Sequence, residues 1–364
     1  MTRELLHGVV GHVGGPGNIA ARFHQEELRM RKLDVFNHFF PEPFFEKMIE
    51  LAPTHKDMGK RIRNIAALHD LDARFRVMDR FDDYQQILSM PSPPIETFAG
   101  PREAADLTRR GNDGFADLVR RYPDRFPGFV ASIALNDPDS AFTEARRAIS
   151  ELGACGVQVF TNVNGAPLTS PEFLPLFDLV AEYDRPIWLH PARGANFPDY
   201  QTETSSKFEI WWTLGWPYET SVTMARIVFA GLFDRHPGLK IITHHMGGMI
   251  PYFEGRVGHG WDQLGTRTSD VDYTAVLKTL QRRPIDYFRL FYADTALFGA
   301  EAATVCGLSF FKADHVLFSS DTPFEPEPGV YIRETIDIID RLEVSDEVRA
   351  QIYARNALAL LKLN

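Results

Sequence analysis

Cysteine is scarce in this chain: Cys155 and Cys306 are the only two in 364 residues. Two thiols cannot make the disulfide framework of a secreted scaffold. Both lie among apolar neighbours, so buried free thiols in a reducing cytoplasm are the expectation. No run approaches the ~18 uninterrupted apolar residues of a membrane span, and the opening residues lack the apolar core of a secretion signal. Positive charge is short as well, with 39 basic residues against 49 acidic ones and a net charge of −10. A nucleic-acid surface needs clustered Lys and Arg, whereas the pairs Arg146-Arg147 and Arg282-Arg283 read as solvated helix faces. A glycine-rich phosphate-binding fingerprint is also missing, which counts against a doubly wound nucleotide-binding sheet. These absences leave a cytoplasmic protein that handles a small molecule.

What is present suits a large α/β domain. Apolar residues make up 44% of the chain and charged ones 24%, ample for a core. Eight apolar runs read as strands, at 33–36, 84–89, 127–133, 155–160, 186–190, 239–244, 288–293 and 315–319. Most are continuous instead of alternating, as parallel strands covered on both faces are. Helical stretches separate them, among them 139–152, and 171–183 with Ser170 as cap and Pro171 at the first helical position. Strand and helix repeated in this way predict a (β/α)8 TIM barrel over residues 33–364, within the roughly 250 to more than 400 residues such barrels use. Residues 1–32 form an N-terminal arm, glycine-rich and carrying His7 and His12, expected to pack on the barrel or a partner subunit. Residues 54–76 read as a charged, helical insertion. Residues 195–220 read as a lid loop rich in aromatics, including Phe197, Trp211, Trp212 and Trp216. That lid serves either packing or as an aromatic wall for a flat substrate.

Four of the strand candidates end in metal-ligand side chains: Asn37-His38, His190, His244-His245 and Asp321. In a closed parallel barrel all these ends point to one face, so residues far apart in sequence can converge on one ion. Each residue alone has a plainer reading. Asp321 before Thr-Pro suits a turn or helix cap, and a lone His190 suits a core position. Consecutive residues on a strand point to opposite sides, so only one of His244 and His245 is expected to enter the site. The following Gly247 and Gly248 would allow close backbone approach. Taken together, the set reads as a metal site.

These residues sit within an ordered series of segments: Arg76–Asp79 leading to Gln86–Ser89, Gly156–Gln158, Leu189–Pro191, Phe233–Lys240, His245–Pro251 through Gly255-Arg256, Ser320–Phe324 and Asn356–Leu361. The series resembles the amidohydrolase superfamily, in the branch of aminocarboxymuconate-semialdehyde decarboxylase and the resorcylate and hydroxybenzoate decarboxylases. The resemblance implies His190 and Asp321 as metal ligands and His245 as the near-metal histidine for proton transfer. It also implies that Arg256 reaches a neighbouring subunit's site to meet a substrate carboxylate, and hence a homodimer or related assembly.

The chain departs from the branch at Phe36-Asn37-His38, where relatives carry His-x-His or a glutamate variant. Gln158 stands where dinuclear relatives have a bridging lysine. What remains is His38, His190 and Asp321 with open positions, a donor set that suits zinc, manganese or iron(II). His244 is expected to support the ligands, and Asn37 to supply either an amide oxygen or a supporting hydrogen bond. Phe36, Arg193, Trp211, Trp212 and Trp216 are expected to line the substrate site, with His245, Asp321 and Arg256 taking part in catalysis. The expected activity is non-oxidative decarboxylation of a small carboxylated, aromatic substrate, with hydrolysis using the same parts. The altered first-strand motif also suits two rivals: an iron-dependent monooxygenase on the same scaffold, or a non-catalytic partner of an active paralogue.

Overall fold

The computed structural model describes residues 31–54 and 61–363. The arm with His7 and His12 lies outside the described residues, as do residues 55–60 of the first insertion. Eight parallel strands form the barrel: β1 (Lys32–His38), β2 (Tyr84–Ser89), β3 in two pieces (Gly128–Phe129 and Ala131–Ser132), β4 (Val157–Phe160), β5 (Ile187–His190), β6 (Ile241–Thr243), β7 (Tyr292–Asp294) and β8 (Val316–Leu317). The first piece of β3 pairs with β2 and the second with β4. From there the order runs β4-β5-β6-β7-β8. Val35 N–H bonds to Phe318 O at 3.0 Å, Asp321 N–H to Phe36 O at 3.1 Å and His38 N–H to Thr322 O at 2.9 Å, which closes the circle between β8 and β1. No helix among the described residues is long and apolar enough to cross a membrane.

Two apolar layers hold the barrel. The larger fills the space between the sheet and the surrounding helices. The smaller lies inside, where Leu33, Val35, Phe36, Ile87, Trp188 and Ile242 pack with Leu358 and Leu361 of the last helix, Asn356–Leu361. That helix plugs the end of the barrel opposite the ligand-bearing strand termini. Trp188 crosses the interior and donates its Nε1–H to Val35 O at 2.8 Å, the hydrogen bond a buried indole needs.

Several elements differ from the sequence expectation for local reasons. The seventh strand starts at Tyr292, not near 288, because Pro284 opens a short helix, Pro284–Phe288. The stretch 171–183 breaks into a 3-10 turn, Pro171–Phe173, and a helix, Pro175–Glu182, since Pro175 has no N–H to continue the ladder. The helix expected at 139–152 runs Pro138–Ser150, with Asp137 accepting from Ser140 N–H. Among its described residues, the insertion expected to be helical becomes regular α-helix at Leu71–Met78, where Asp70 caps the first turn. The tryptophans of the lid are not on a loop: they belong to the helices Ile210–Thr213 and Gly215–Phe229. Both cysteines are unpaired, but only Cys155 is buried; Cys306 is half-exposed on the helix Glu301–Phe311.

One irregularity in β1 positions the site. Asp34 pairs with Gln86 and Asn37 with Leu88, so β1 spends one more residue than β2 over the same interval. Such a bulge breaks the two-residue alternation of side chains. Val35 and Phe36 therefore both join the inner layer, while Asn37 turns away. Asn37 Nδ2 donates to Asp34 O and Ile87 O, each at 3.0 Å, filling gaps the bulge leaves. Its Oδ1 accepts from the fully buried Arg74 at 2.6 Å, and Arg74 also reaches His38 O at 2.9 Å and Gln86 Oε1 at 2.8 Å. Asp34, fully buried, accepts from the Tyr84 and Ser320 hydroxyls and from Phe36 N–H. This polar network ties the end of β1 to β2 and to the residue before Asp321.

Burial raises the Asp34 carboxyl to about 6, against the lowering bonds from Ser320 and Tyr84. The folded state thus holds the proton more tightly than the unfolded chain, whose Asp titrates near ~3.9. Stability from this group is complete below pH ~4 and is lost as pH rises toward 6, by about 2–3 kcal/mol in all. Asp34→Asn should flatten that part of the stability profile relative to the parent, measured by urea denaturation at pH steps from 3.5 to 7. Parallel profiles would show that Asp34 stays ionised.

Candidate metal centre

The ends of β1, β5, β6 and β8 bring four donors together. His38 Nε2 lies 3.0 Å from Asp321 Oδ1, and His244 Nε2 lies 3.2 Å from the same oxygen. His190 turns Nδ1 to the Pro191 carbonyl at 2.7 Å, which leaves Nε2 for the interior. Ring centroids are 5.2 Å apart for His38 and His190, and 5.3 Å for His190 and His244. Two buried groups, His38–His190–His244 and His244–His245–Asp321, each place one donor atom per residue within 4.8 Å of the others. Asp321 sits at φ 63°, a left-handed conformation that short polar Asp tolerates better than most residues, and its amide is anchored on Phe36 O.

Both consecutive histidines enter the site, against the expectation that only one would. His244 is extended, but His245 has φ 54° and Met246 φ 53°, so the chain folds back instead of continuing the strand alternation. The two imidazoles stack at 3.8 Å, and His245 Nε2 lies 3.4 Å from Asp321 Oδ2. Gly248 lets this turn pass: a Cβ there would sit 2.4 Å from Pro217 O, at φ 62°. His244 is therefore, by position, a member of the donor cluster. Asn37, expected as a support for the ligands, faces Arg74 and β2 instead.

The electrostatics suit a cation. Burial pushes His38, His190 and His245 down, so these imidazoles are neutral and offer lone pairs. Burial also opposes ionisation of Asp321, yet His244 and the bonds from the histidines hold it well below the ordinary carboxylate range. For His244 burial again disfavours charge, but the Asp294 and Asp321 carboxylates raise it to about 10. A divalent ion entering the cluster would displace that proton. Neutral imidazoles around one carboxylate match the nitrogen and oxygen preference of zinc, manganese and iron(II). Asp294, at the end of β7, was not singled out by sequence reading. Its carboxylate bonds to His244 Nδ1, and the one available signal was its place at a strand terminus.

A cavity of about 390 Å³ opens beside the cluster, lined by Arg61, Asn162, Arg193, Trp211, Trp216 and Phe324 among others. Trp216 links it to the donors, its ring 5.6 Å from His190, and Phe324 lies 5.5 Å from His38. Arg193 is held by Glu219 at 2.9 Å and lies over Phe197. Arg61, which sequence reading placed in a charged insertion, stacks over Phe324 at 5.0 Å, Trp212 at 5.6 Å and Trp216 at 5.8 Å. Trp212 reaches the cavity only through Arg61 and Trp216. Phe36 does not line the cavity: it is fully buried and stacks on His244 at 3.9 Å. Gln158 lies apart, donating to Met90 O. Arg256 is exposed and lines a separate groove with Met249, Phe253 and Trp261, away from the centre of its own chain.

The family model described as amidohydrolase matches residues 33–363. The gamma-resorcylate decarboxylase of Rhodococcus jostii (strain RHA1) is 32% identical over 303 residues, covering 80% of this chain and 88% of the relative. The 2-amino-3-carboxymuconate-6-semialdehyde decarboxylase of Dictyostelium discoideum is 30% identical over 310 residues, covering 84% and 80%. Among solved structures, the dihydroxybenzoic acid decarboxylase of Polaromonas sp. JS666, with bound manganese and the inhibitor 2-nitroresorcinol, superposes with TM-score 0.74 at 29% identity, covering 91% of this chain and 97% of that one. The chain belongs to the amidohydrolase family, and its relatives place it in the decarboxylase branch.

Adding manganese or zinc to metal-stripped protein should raise the melting temperature. Binding at a hundredfold excess over Kd stabilises by about 2.7 kcal/mol. His190→Ala should weaken binding by at least about 100-fold, since even losing a partner behind a ligand costs 10- to 100-fold. Calorimetric titration reads both, and an unchanged affinity in His190→Ala would remove this residue from the ligand set.

Proposed function

We propose that this chain is a metal-dependent, non-oxidative decarboxylase of a small aromatic carboxylate, with His38, His190 and Asp321 holding the ion. One observation carries the reading: a buried histidine–aspartate cluster lies against the aromatic wall of a cavity containing arginine, in a chain whose relatives over four-fifths of its length are decarboxylases. When bound, the divalent ion would polarise the substrate oxygens nearest the leaving carboxylate. The remaining work falls to the chain itself. Trp216 and Phe324 form flat walls that can hold an aromatic ring beside the donors. Arg61 has no ion-pair partner among the described residues and offers its guanidinium to an anionic group. Arg193 contributes with Glu219 already attached.

His245 is placed to supply the proton. Its Nε2 lies beside Asp321 Oδ2, and burial lowers its proton affinity, so a proton it takes up from solvent is readily passed on. The ring carbon takes the proton from His245 with a ring electron pair. The pair of the carbon–carboxylate bond then returns to the ring, and carbon dioxide leaves. The reaction consumes one proton and no oxidant, which sets it apart from an oxygen-dependent monooxygenase. The proposal includes a homodimer in the cytoplasm, with Arg256 serving the neighbouring subunit's cavity, a role its exposed position leaves open to it.

Manganese-loaded protein should release carbon dioxide from hydroxylated benzoates without oxygen, and in heavy water the product should carry one deuterium at the vacated carbon. His245→Ala should lower kcat by about 10²- to 10⁴-fold while metal content holds. The proposal fails if no carboxylated aromatic is turned over with manganese, zinc or iron.

A further inference from the structure

We infer that His244 is a direct fourth ligand of the ion, supplying the donor that position 36 lacks, and that Asp294 is the positioning residue that aims it. The inference rests on the reading of His38, His190 and Asp321 as a metal site. Phe36 is held in the inner layer by the β1 bulge and has no donor atom. Its ring lies face to face with the His244 imidazole at 3.9 Å and 15°. An apolar ring in that place cannot bind an ion, but it forms a flat support that fixes the plane of His244 from one side, while His245 stacks on it at 3.8 Å.

The edge of the imidazole is fixed as well. Nδ1 bonds to the fully buried Asp294 carboxylate, whose Oδ1 is itself within reach of Ala296 N–H at 3.2 Å and Met246 N–H at 3.4 Å. A ligand histidine is commonly set in this way: a carboxylate takes the proton of one ring nitrogen and leaves the lone pair of the other for the metal. The other nitrogen, Nε2, lies 3.2 Å from Asp321 Oδ1, and His244 offers a donor atom within 4.8 Å of those of His38 and His190. Donors bonded at ~2.0–2.2 Å to one ion lie within about 4.4 Å of one another, so a small closure suffices. The left-handed turn at His245 then divides the labour: His244 is committed to the ion, and His245 remains free to move a proton.

The test counts nitrogens. Pulsed electron paramagnetic resonance on the manganese-loaded full chain, with histidine labelled by ¹⁵N, should show three coordinated imidazoles in the parent and two in His244→Ala. Chelator competition should show affinity reduced by more than about 100-fold in His244→Ala and by about 10- to 100-fold in Asp294→Asn. In Phe36→His combined with His244→Ala, affinity should return and the count should be three again. Two imidazoles in the parent, with His190→Ala still abolishing binding, would overturn the assignment of His244 and leave the metal site standing. A parent that binds no manganese, zinc or iron would overturn both. The count on the parent needs no substitution, so a variant that fails to fold cannot mask the answer.

Discussion

A carboxylate buried among imidazoles must be compensated, because removing an ion from water costs several kcal/mol even after the surroundings relax. At Asp321 that requirement organises the whole end of the barrel. His38, His244 and His245 all direct Nε2 to its two oxygens, and they come from opposite parts of the chain. The carboxylate can be satisfied only if β1, β6 and β8 end at the same height and on the same side, which the closed parallel barrel enforces. The same cluster that keeps Asp321 ionised gathers several imidazole nitrogens around one point, and a divalent cation would take over the compensation that the raised His244 begins.

Behind this centre lies a less visible layer of polar contacts. Arg74 spans from the helix Leu71–Met78 to Asn37, His38 O and Gln86, and Asp34 gathers the Tyr84 and Ser320 hydroxyls. Buried polar groups of this kind are tolerated only when fully bonded. Their function here is mechanical. They pin the strand termini carrying His38 and Asp321 so that the donors do not have to be ordered when an ion arrives. Phe36 adds an apolar brace on the other side, and its loss as a donor is matched by a histidine in stacking contact with it.

The cavity shows how a common scaffold acquires a particular chemistry. The fold is similar to that of relatives such as the manganese-bound decarboxylase from Polaromonas, and in this chain the aromatic walls and the arginine above them come from the segments between strands. Trp216 belongs to the helix Gly215–Phe229 and donates its Nε1–H to Arg193 O at 3.1 Å, which fixes the wall to the segment that follows β5. A flat, anionic guest is what such a chamber of rings and guanidinium groups complements.

Much of this was legible from residue order. Continuous apolar runs marked the parallel strands, and polar residues immediately after them marked the face where His38, His190 and Asp321 meet, because burial pattern and strand length are local properties. Strand boundaries near Pro284 and the helix break at Pro175 were missed where proline overrode the apolar pattern. Less accessible were the direction of Asn37, the entry of both His244 and His245, and the participation of Asp294 and Arg61. Those depend on a bulge in β1, on left-handed residues at His245 and Asp321, and on contacts between segments far apart in the chain, His244 with Asp294 and Arg61 with Phe324. The chain by itself determined which elements form and which residues stand at their ends, since these follow from hydrophobic period and turn chemistry. Only the tertiary structure decided which way those end residues face, because a single extra residue or one positive φ reverses a side chain without changing the pattern that surrounds it.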